Sequence, residues 1–239
     1  MRYRVRCNGK VKFLLAILAL PALAQAPPRF LTAEIHPSNN LRESRGRFLP
    51  NGDVAVLNTT LKELITVAYE AQEGTVVGAT AWMETEHYDL IAKAPPNTPM
   101  NMLRLMLRPL LAEQFKLAVH SEQRTRPVLA LLVAKRSAVL KPSVSAGSES
   151  CSWTNAGTGD LACRNLTMAD VALQLPGWAR LKLPRPLVDR TGLSGAYDFH
   201  LTLRERGTDT ILDQLGLKLE ERQQSIPVIV VDRAERPAR

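Results

Sequence analysis

The chain of 239 residues has few of the side chains on which catalysis and metal binding most often depend. It contains four histidines and three cysteines, and aromatic residues make up 5% of it. The histidines are scattered, and no two of them have the spacing of metal ligands. The motifs His-Glu-x-x-His, Gly-x-Ser-x-Gly, Ser-x-x-Lys and Cys-x-x-Cys are missing, as is a phosphate-binding glycine loop. The sequence therefore predicts no catalytic residue, no cofactor and no metal site.

A long apolar run is also missing, and the short run at Phe13–Leu20 follows a cluster of positive charge. Five basic residues and no acidic residue lie before or at the start of this run: Arg2, Arg4, Arg6, Lys10 and Lys12. The apolar part is roughly a dozen residues long, against the ~20 that a membrane-spanning helix needs. Pro21 and the small-residue site Ala22-Leu23-Ala24 follow it. These features predict a signal peptide over residues 1–24, with an uncleaved anchor as the alternative.

Cleavage of the leader would lower the formal charge of the chain from +8 to +3. The basic character is therefore mostly that of the leader, and we expect no nucleic-acid partner. We expect a secreted or periplasmic protein with no membrane span after cleavage of the signal peptide.

Two cysteines remain after the leader, Cys151 and Cys163, and they flank a predicted hairpin turn at residues 155–160. In an oxidising compartment this arrangement favours a disulfide. A metal site is the alternative, but two thiols without a nearby histidine make a poor one.

The chain resembles itself at a distance of about 100 residues. Residues 58–64 recur as residues 165–171, and Tyr88-Asp89 recurs as Tyr197-Asp198. Each copy then closes with a proline and an apolar run, at Pro127 and at Pro227. Two copies indicate a duplication and not a solenoid.

The periodicity predicts the same elements in both copies, in the order strand-helix-strand-strand-helix-strand-strand. Thr60 with Glu63, and Thr167 with Asp170, predict capping boxes at the start of a helix. A proline at position 109 is expected to kink or break the second helix of the first copy, and Pro176-Gly177 to end the first helix of the second. The predicted class is α+β, with helices on one face of mainly antiparallel sheets.

This organisation divides the chain into segments with different predicted roles. The first repeat unit is expected over residues 27–136, a linker over 137–150 and the second unit, with the disulfide hairpin, over 151–233. A flexible tail is expected over 234–239.

Several blocks of the sequence are similar to one known family. They are Phe30-Leu31-Thr32-Ala33-Glu34-Ile35-His36-Pro37, residues 52–69, 78–89 and 110–120, the stretch Arg185 to Phe199, and Leu215-Gly216-Leu217-Lys218-Leu219-Glu220. Over residues 30–237 the chain resembles the "soil-associated" secreted protein family of acidobacterial-type soil bacteria, a domain of unknown function. Some relatives carry this domain behind a BlaR-type membrane metallopeptidase, which implies a sensory or binding role. The resemblance assigns no catalytic residue.

The repeated Tyr-Asp pairs are the sharpest candidate residues. Neighbours in a strand point to opposite faces, so Tyr88 and Asp89 do not form one site by themselves. The same holds for Tyr197 and Asp198, and we interpret both pairs as framework. Trp82 and Trp153 are candidate exposed binding residues, although a tryptophan in a loop more often anchors that loop to the core.

Three functions are compatible with the sequence. The first is an exported, non-enzymatic binding or interaction module whose partner is a protein or an envelope glycan, and the family resemblance implies a sensory role for it. The second is an envelope hydrolase that uses dispersed carboxylates such as Asp89 and Asp198, because glycosidases need two carboxyl groups roughly 5–10 Å apart. The third is a structural protein of the cell envelope.

Overall fold

A computed structural model describes residues 26–39, 45–49, 51–134, 140–144, 149–155, 159–179, 181, 183–203 and 207–237. The predicted signal peptide lies outside the described residues. Among the described residues, no helix combines the length and the hydrophobicity that a membrane crossing requires.

The elements alternate between strands and short helices along the chain. The first half contains β1 (Thr32–Pro37), β2 (Arg45–Phe48), β3 (Asp53–Thr60), α1 (Leu61–Ala68), β4 (Val76–Val77), α2 (Ala81–Thr85), β5 (His87–Lys93), α3 (Met100–Gln114) and β6 (Ala118–Val133). The second half contains β7 (Lys141–Pro142), β8 (Ser150–Asn155), β9 (Asp160–Thr167), α4 (Met168–Trp178), β10 (Leu187–Asp189), β11 (Ala196–Thr202), α5 (Thr208–Leu215) and β12 (Leu217–Arg233).

The strands form three four-stranded sheets. The N-terminal sheet has the order β1-β5-β3-β2, the C-terminal sheet β7-β11-β9-β8, and the central sheet β10-β6-β12-β4. All pairs are antiparallel except β10 with β6 and β4 with β12, which are parallel. The predicted α+β class with mainly antiparallel sheets is confirmed. The use of one unit twice stays a prediction.

Two helices begin where the capping boxes predict. The Thr60 hydroxyl accepts the backbone N–H of Glu63, and the Glu63 carboxylate accepts that of Thr60. Thr167 and Asp170 exchange the same two bonds at the start of α4. Each box satisfies two backbone N–H groups that have no partner within the helix, so the local sequence determines where α1 and α4 begin.

The predicted break at Pro109 is wrong, because α3 runs through it without interruption, whereas α4 ends at Trp178, one residue after the predicted end at Pro176-Gly177. A proline inside a helix costs about 3 kcal/mol, and tertiary packing offsets this cost. The face of α3 that packs inward is fully apolar, and its buried residues are Leu103, Met106, Leu107, Leu110 and Leu111. Pro176 lies in the last turn of α4, where few intrahelical bonds remain to be lost.

The two strands expected at the end of each copy are merged. β6 is one strand of 16 residues and β12 one of 17, and they pair along almost their whole length. Their prolines are tolerated because of the direction of the backbone N–H groups. The Leu129 N–H donates to the Pro186 carbonyl, on the side of β6 that faces β10. Pro127, two residues earlier, faces the same side but lies before the point where β10 begins, so the N–H that a proline lacks is not needed there. Pro227 stands in the same relation to Ile229, whose N–H bonds to Thr75.

Each outer sheet packs its helices on one face around its own core. In the first core, α1 and α3 cover buried residues of β1, β3 and β5. In the second core, α4 and α5 cover buried residues of β9 and β11, together with Leu129 and Leu131 of β6. The central sheet contributes to both cores and adds a small cluster of Val128, Ile226 and Val228.

The expected linker and tail contain ordered contacts where the structure describes them. Lys141 and Pro142 form β7 and pair with β11, and Ser150 already belongs to β8. In the expected tail, Glu235 N–H donates to the Phe115 carbonyl (2.7 Å), and Arg236 binds a carboxylate of the first half. Residues 235 and 236 therefore contact the first half of the chain through a backbone bond and an ion pair.

Candidate functional site

One cavity of the described chain is a groove between helices α1 and α4. Its volume is about 750 Å³, and the N-terminal turn of α3 forms one end. Three exposed hydrophobic side chains line it: Val67 (42% exposed), Met100 (41%) and Leu173 (39%). A groove with exposed apolar walls can bind the apolar face of another molecule.

The rim of the groove carries more acid than base. Among the described residues, Glu70, Glu149 and Asp170 line it together with one cation, Arg104, which is ion-paired with Glu70. A smaller cavity of about 260 Å³ shares Leu173 with the groove and is lined by one acid, Glu73, and one base, Arg185. The electrostatic potential at the rim therefore favours a positively charged group.

A side-chain amide fixes one wall of these cavities. Gln72 donates its amide N–H to the Leu187 carbonyl (2.7 Å), and its amide oxygen accepts the Leu187 N–H (2.6 Å). Gln72 therefore acts as a one-residue strand partner on the outer edge of β10. This contact ties the segment after α1 to β10 and blocks further pairing at that edge.

The two candidate tryptophans lie in different environments. Trp153 is 56% exposed and lies on β8, the edge strand of the C-terminal sheet, two residues after Cys151. Trp82 is half-buried on α2 and stacks on Phe115, with ring centroids 6.5 Å apart. The structure does not bring the two rings into one site.

A carboxylate network surrounds Trp82. The Arg236 guanidinium donates three bonds to Glu86, from Nη2 to Oε1 (2.7 Å) and from Nε to Oε1 and Oε2 (2.9 and 3.1 Å), and lies 5.1 Å above the centroid of the Trp82 ring. The Tyr88 hydroxyl also donates to Oε2 of Glu86 (3.0 Å). Arg236 lowers the pKa of Glu86, while burial and the Glu86 hydrogen bond raise the pKa of Tyr88 to about 12. Glu86 is therefore an anion held between a phenol and a guanidinium.

In each Tyr-Asp pair the tyrosine is buried, and the aspartate binds the backbone at an irregular position of the neighbouring strand. Tyr88 and Tyr197 are buried, at 2% and 8% exposed. Asp89 accepts the backbone N–H of Asn58 (2.7 Å), and Asn58 has φ of +53° at a shift in the β3–β5 register.

The second pair makes the same contact. Asp198 accepts the backbone N–H of Asn165 (2.9 Å), where φ is +57° at a shift in the β9–β11 register. This bond lowers the pKa of Asp198. Asp89 lies in the N-terminal sheet and Asp198 in the C-terminal sheet, so each carboxylate stabilises the bulge of its own sheet.

A second cavity, of about 420 Å³, lies beside Asp198. Lys141, Arg164 and His200 line it, with Gln214 at one end. The Gln214 amide exchanges two hydrogen bonds with Thr202 (2.8 and 3.0 Å) and closes the edge of β11 there. Among the residues that the structure describes, no group of three or more His, Cys, Asp or Glu side chains is arranged to hold a metal ion.

The predicted disulfide is confirmed. Cys151 and Cys163 are bonded and lie directly opposite each other in the β8–β9 register. The bond links the edge strand of the C-terminal sheet to its neighbour.

Sequence reasoning missed the groove because it searched for polar constellations. A signal was present: Val67 and Leu173 are apolar residues outside the apolar stripes of their helices. The buried stripes are Leu61, Leu64, Ile65 and Ala68 in α1, and Met168, Val171, Ala172 and Leu175 in α4. An apolar residue beside such a stripe indicates a second contact surface.

The comparisons with known proteins concern the family alone. No curated protein and no solved structure matches this chain. A match to one protein family covers residues 62–234, which is more than half of the chain and extends from α1 to the residue after β12. The chain therefore belongs to the family described as "Protein of unknown function (DUF3738)".

Proposed function

We propose that this protein is an exported, non-enzymatic interaction module whose groove between α1 and α4 binds a segment of another protein. The observation that carries this proposal is the position of Val67, Met100 and Leu173, which expose apolar surface into one cavity of about 750 Å³. Exposed apolar side chains that share a concave surface are typical of recognition sites.

The chemistry of the rim favours a cationic, amphipathic segment as the ligand. Glu149 and Asp170 at the groove supply negative charge, while Arg104 is already paired with Glu70. A helix with Leu or Val on one face and Lys or Arg on the other complements both features. An envelope glycan is the less favoured ligand, because sugars usually stack on aromatic rings and Trp178 is the one aromatic residue among those that line the groove.

The scaffold itself is best explained as two related units. The recurring contacts are the two capping boxes and the bonds from Asp89 to Asn58 and from Asp198 to Asn165. In the central sheet, the short strand of each half pairs in parallel with the long strand of the other half. The β6–β12 register places Thr125 opposite Ser225, which fits a twofold relation with an offset of 100 residues.

Export and a sensory role complete the proposal. The disulfide is compatible with an oxidising compartment. The resemblance to a family with BlaR-type fusions suggests that binding by such a domain is transmitted to a partner across the membrane. A groove between two units fits this role, because its width depends on how the units are held together.

A hydrolase is less favoured as a function. Its two candidate carboxylates, Asp89 and Asp198, each accept a backbone N–H in a different sheet. A pair of carboxyl groups in glycoside hydrolysis must share one substrate bond. The envelope-structural hypothesis does not account for the exposed apolar groove.

The experiment compares two model peptides with three forms of the full chain. One fluorescent peptide contains Leu and Lys in an amphipathic helical pattern, and the other contains Glu in place of Lys. The double variant Val67→Ser with Leu173→Ser removes apolar groove surface at exposed positions. Ile91→Ser is the matched control, because Ile91 is 49% exposed on β5 in the N-terminal sheet and does not line the groove. Fluorescence anisotropy measures binding.

We expect the Leu/Lys peptide to bind the wild type and the Ile91→Ser variant equally, and the double variant about tenfold more weakly. Partial loss of two apolar contacts, each worth up to about 1.5 kcal/mol, accounts for this change. The Leu/Glu peptide should not bind. Equal affinity of all three forms for the Leu/Lys peptide contradicts the groove as the site. Binding of soluble peptidoglycan fragments, with the same sensitivity to the double variant and no peptide binding, would replace the protein ligand by a glycan.

A further inference from the structure

We propose a second recognition site, in which Trp82 and Glu86 bind the guanidinium of a partner protein and which Arg236 of the same chain occupies in its absence. None of these residues lines the groove between α1 and α4. This proposal therefore goes beyond the function proposed for the groove and does not depend on it.

The geometry is that of a guanidinium receptor. A guanidinium is planar, forms paired bonds with a carboxylate and stacks on aromatic rings. Arg236 forms both contacts at once, because its Nη2 and Nε bond to the two oxygens of Glu86 (2.7 and 3.1 Å) while its guanidinium lies 5.1 Å above the Trp82 ring. Paired bonds and a cation–π contact together distinguish arginine from lysine.

The residues that bind the guanidinium, Trp82 and Glu86, belong to the first half of the fold and not to the C-terminal tail. The Trp82 ring rests on the buried Phe115, and Tyr88 holds Glu86 from the other side. Glu86 also donates its backbone N–H to the Trp82 carbonyl (2.9 Å), which sets the two side chains at neighbouring positions at the end of α2. The site therefore keeps its shape when the tail leaves.

The occupant, in contrast, is held by few contacts. The Arg236 side chain is 60% exposed. Exposed ion pairs of this kind contribute at most about 1 kcal/mol. An arginine presented by a partner, with additional contacts around it, can therefore replace Arg236.

The test uses the full chain with the substitution Arg236→Ala and an isolated arginine side chain as the probe. N-acetyl-argininamide is titrated while the indole N–H signal of Trp82 is followed by NMR, with a Trp82→Phe variant to assign that signal. N-acetyl-citrullinamide, which has the same shape without the charge, is the control ligand. Arg233→Ala is the control variant, because it removes a nearby exposed positive charge and leaves Arg236 in place.

We expect a saturable shift in Arg236→Ala, with a Kd on the order of 10 mM from one carboxylate pair and one ring. Binding should be about fivefold weaker in the wild type and in Arg233→Ala, where Arg236 competes with the stability of an exposed ion pair. The variant Arg236→Ala with Glu86→Gln should lose the shift, and citrulline should produce none. A saturable shift of equal affinity in the wild type and in Arg236→Ala overturns the competition by Arg236. No saturable shift in Arg236→Ala overturns the receptor itself, and neither outcome affects the groove.

Discussion

The two outer sheets share one contact at their centre and differ at their edges. In both, a carboxylate of the middle strand accepts the N–H of an asparagine with positive φ. At one edge, β1 pairs with six residues of β5, whereas β7 pairs with only two residues of β11 and the Gln214 amide closes the remaining end.

The halves also stabilise their periphery in different ways. The N-terminal sheet has α2 and the docked segment around Arg236. The C-terminal sheet has the Cys151–Cys163 disulfide, and the described elements of the second half include no counterpart of α2. The comparison indicates that the Asp–Asn contact is required by the bulge geometry, whereas the edges are free to vary. Functional differences between the halves should therefore be sought at the edges.

Removing the disulfide should have the largest effect on the difference in stability between the two halves. Replacing Cys151 and Cys163 together by serine should lower the free energy of unfolding by about 3 kcal/mol, since the bond closes a loop with a sequence separation of 12. Urea unfolding followed at Trp178, which packs on the second core, should shift more than unfolding followed at Trp82 on the first core. Ser152→Ala, at an exposed position of the same hairpin, is the control and should not shift either. Equal shifts at both tryptophans would mean that the halves unfold as one unit.

A smaller effect concerns the acid stability of the second half. The backbone N–H of Asn165 lowers the pKa of Asp198 below its ordinary value of 3.8. A carboxyl group whose pKa is lowered on folding adds stability above its unfolded pKa and loses it as pH falls through the folded value. The stability advantage of the wild type over Asp198→Asn should therefore be full above pH 3.8 and disappear as pH falls through the lowered pKa.

Denaturant midpoints across the acid range measure this difference. His200→Gln, at an exposed neighbour on the same strand, is the control and should leave the acid limb unchanged. A difference between wild type and Asp198→Asn that does not depend on pH would contradict the charged contact at the bulge.

The sequence predicts those parts of the structure that depend on neighbouring residues. The capping boxes at Thr60 and Thr167 and the disulfide need only a few adjacent side chains, and all of them are present. The merging of the final strands was not predictable in this way. From the neighbouring residues alone, a proline predicts the end of a strand. Pro127 is tolerated because it faces the side of β6 where β10 has not yet begun. That direction is a property of the tertiary fold.

The candidate site was predictable to a lesser extent. The sequence singled out Trp82, but its partner Arg236 lies 150 residues from Glu86 in a segment expected to fray. The groove depends on the relative position of α1 and α4, which belong to different halves. Val67 and Leu173 each mark a second apolar surface on their own helix, but the local sequence does not show that the fold places these two surfaces, or Glu86 and Arg236, side by side.

The smallest predicted effect compares the ends of α3 and α5. Lys116 follows the end of α3 with φ of +48°, and Gly216 follows α5 with φ of +67°. Glycine adopts this left-handed conformation without the steric cost that a side chain incurs. Lys116→Gly should therefore raise the free energy of unfolding by up to about 1 kcal/mol, and Gly216→Ala should lower it by about the same amount. Thermal unfolding measures both, and Lys62→Gly, within α1 and away from either turn, should destabilise the protein by about 1 kcal/mol. If Lys116→Gly also destabilises, the two helix ends are not equivalent, and the correspondence between the halves stops before β6 and β12.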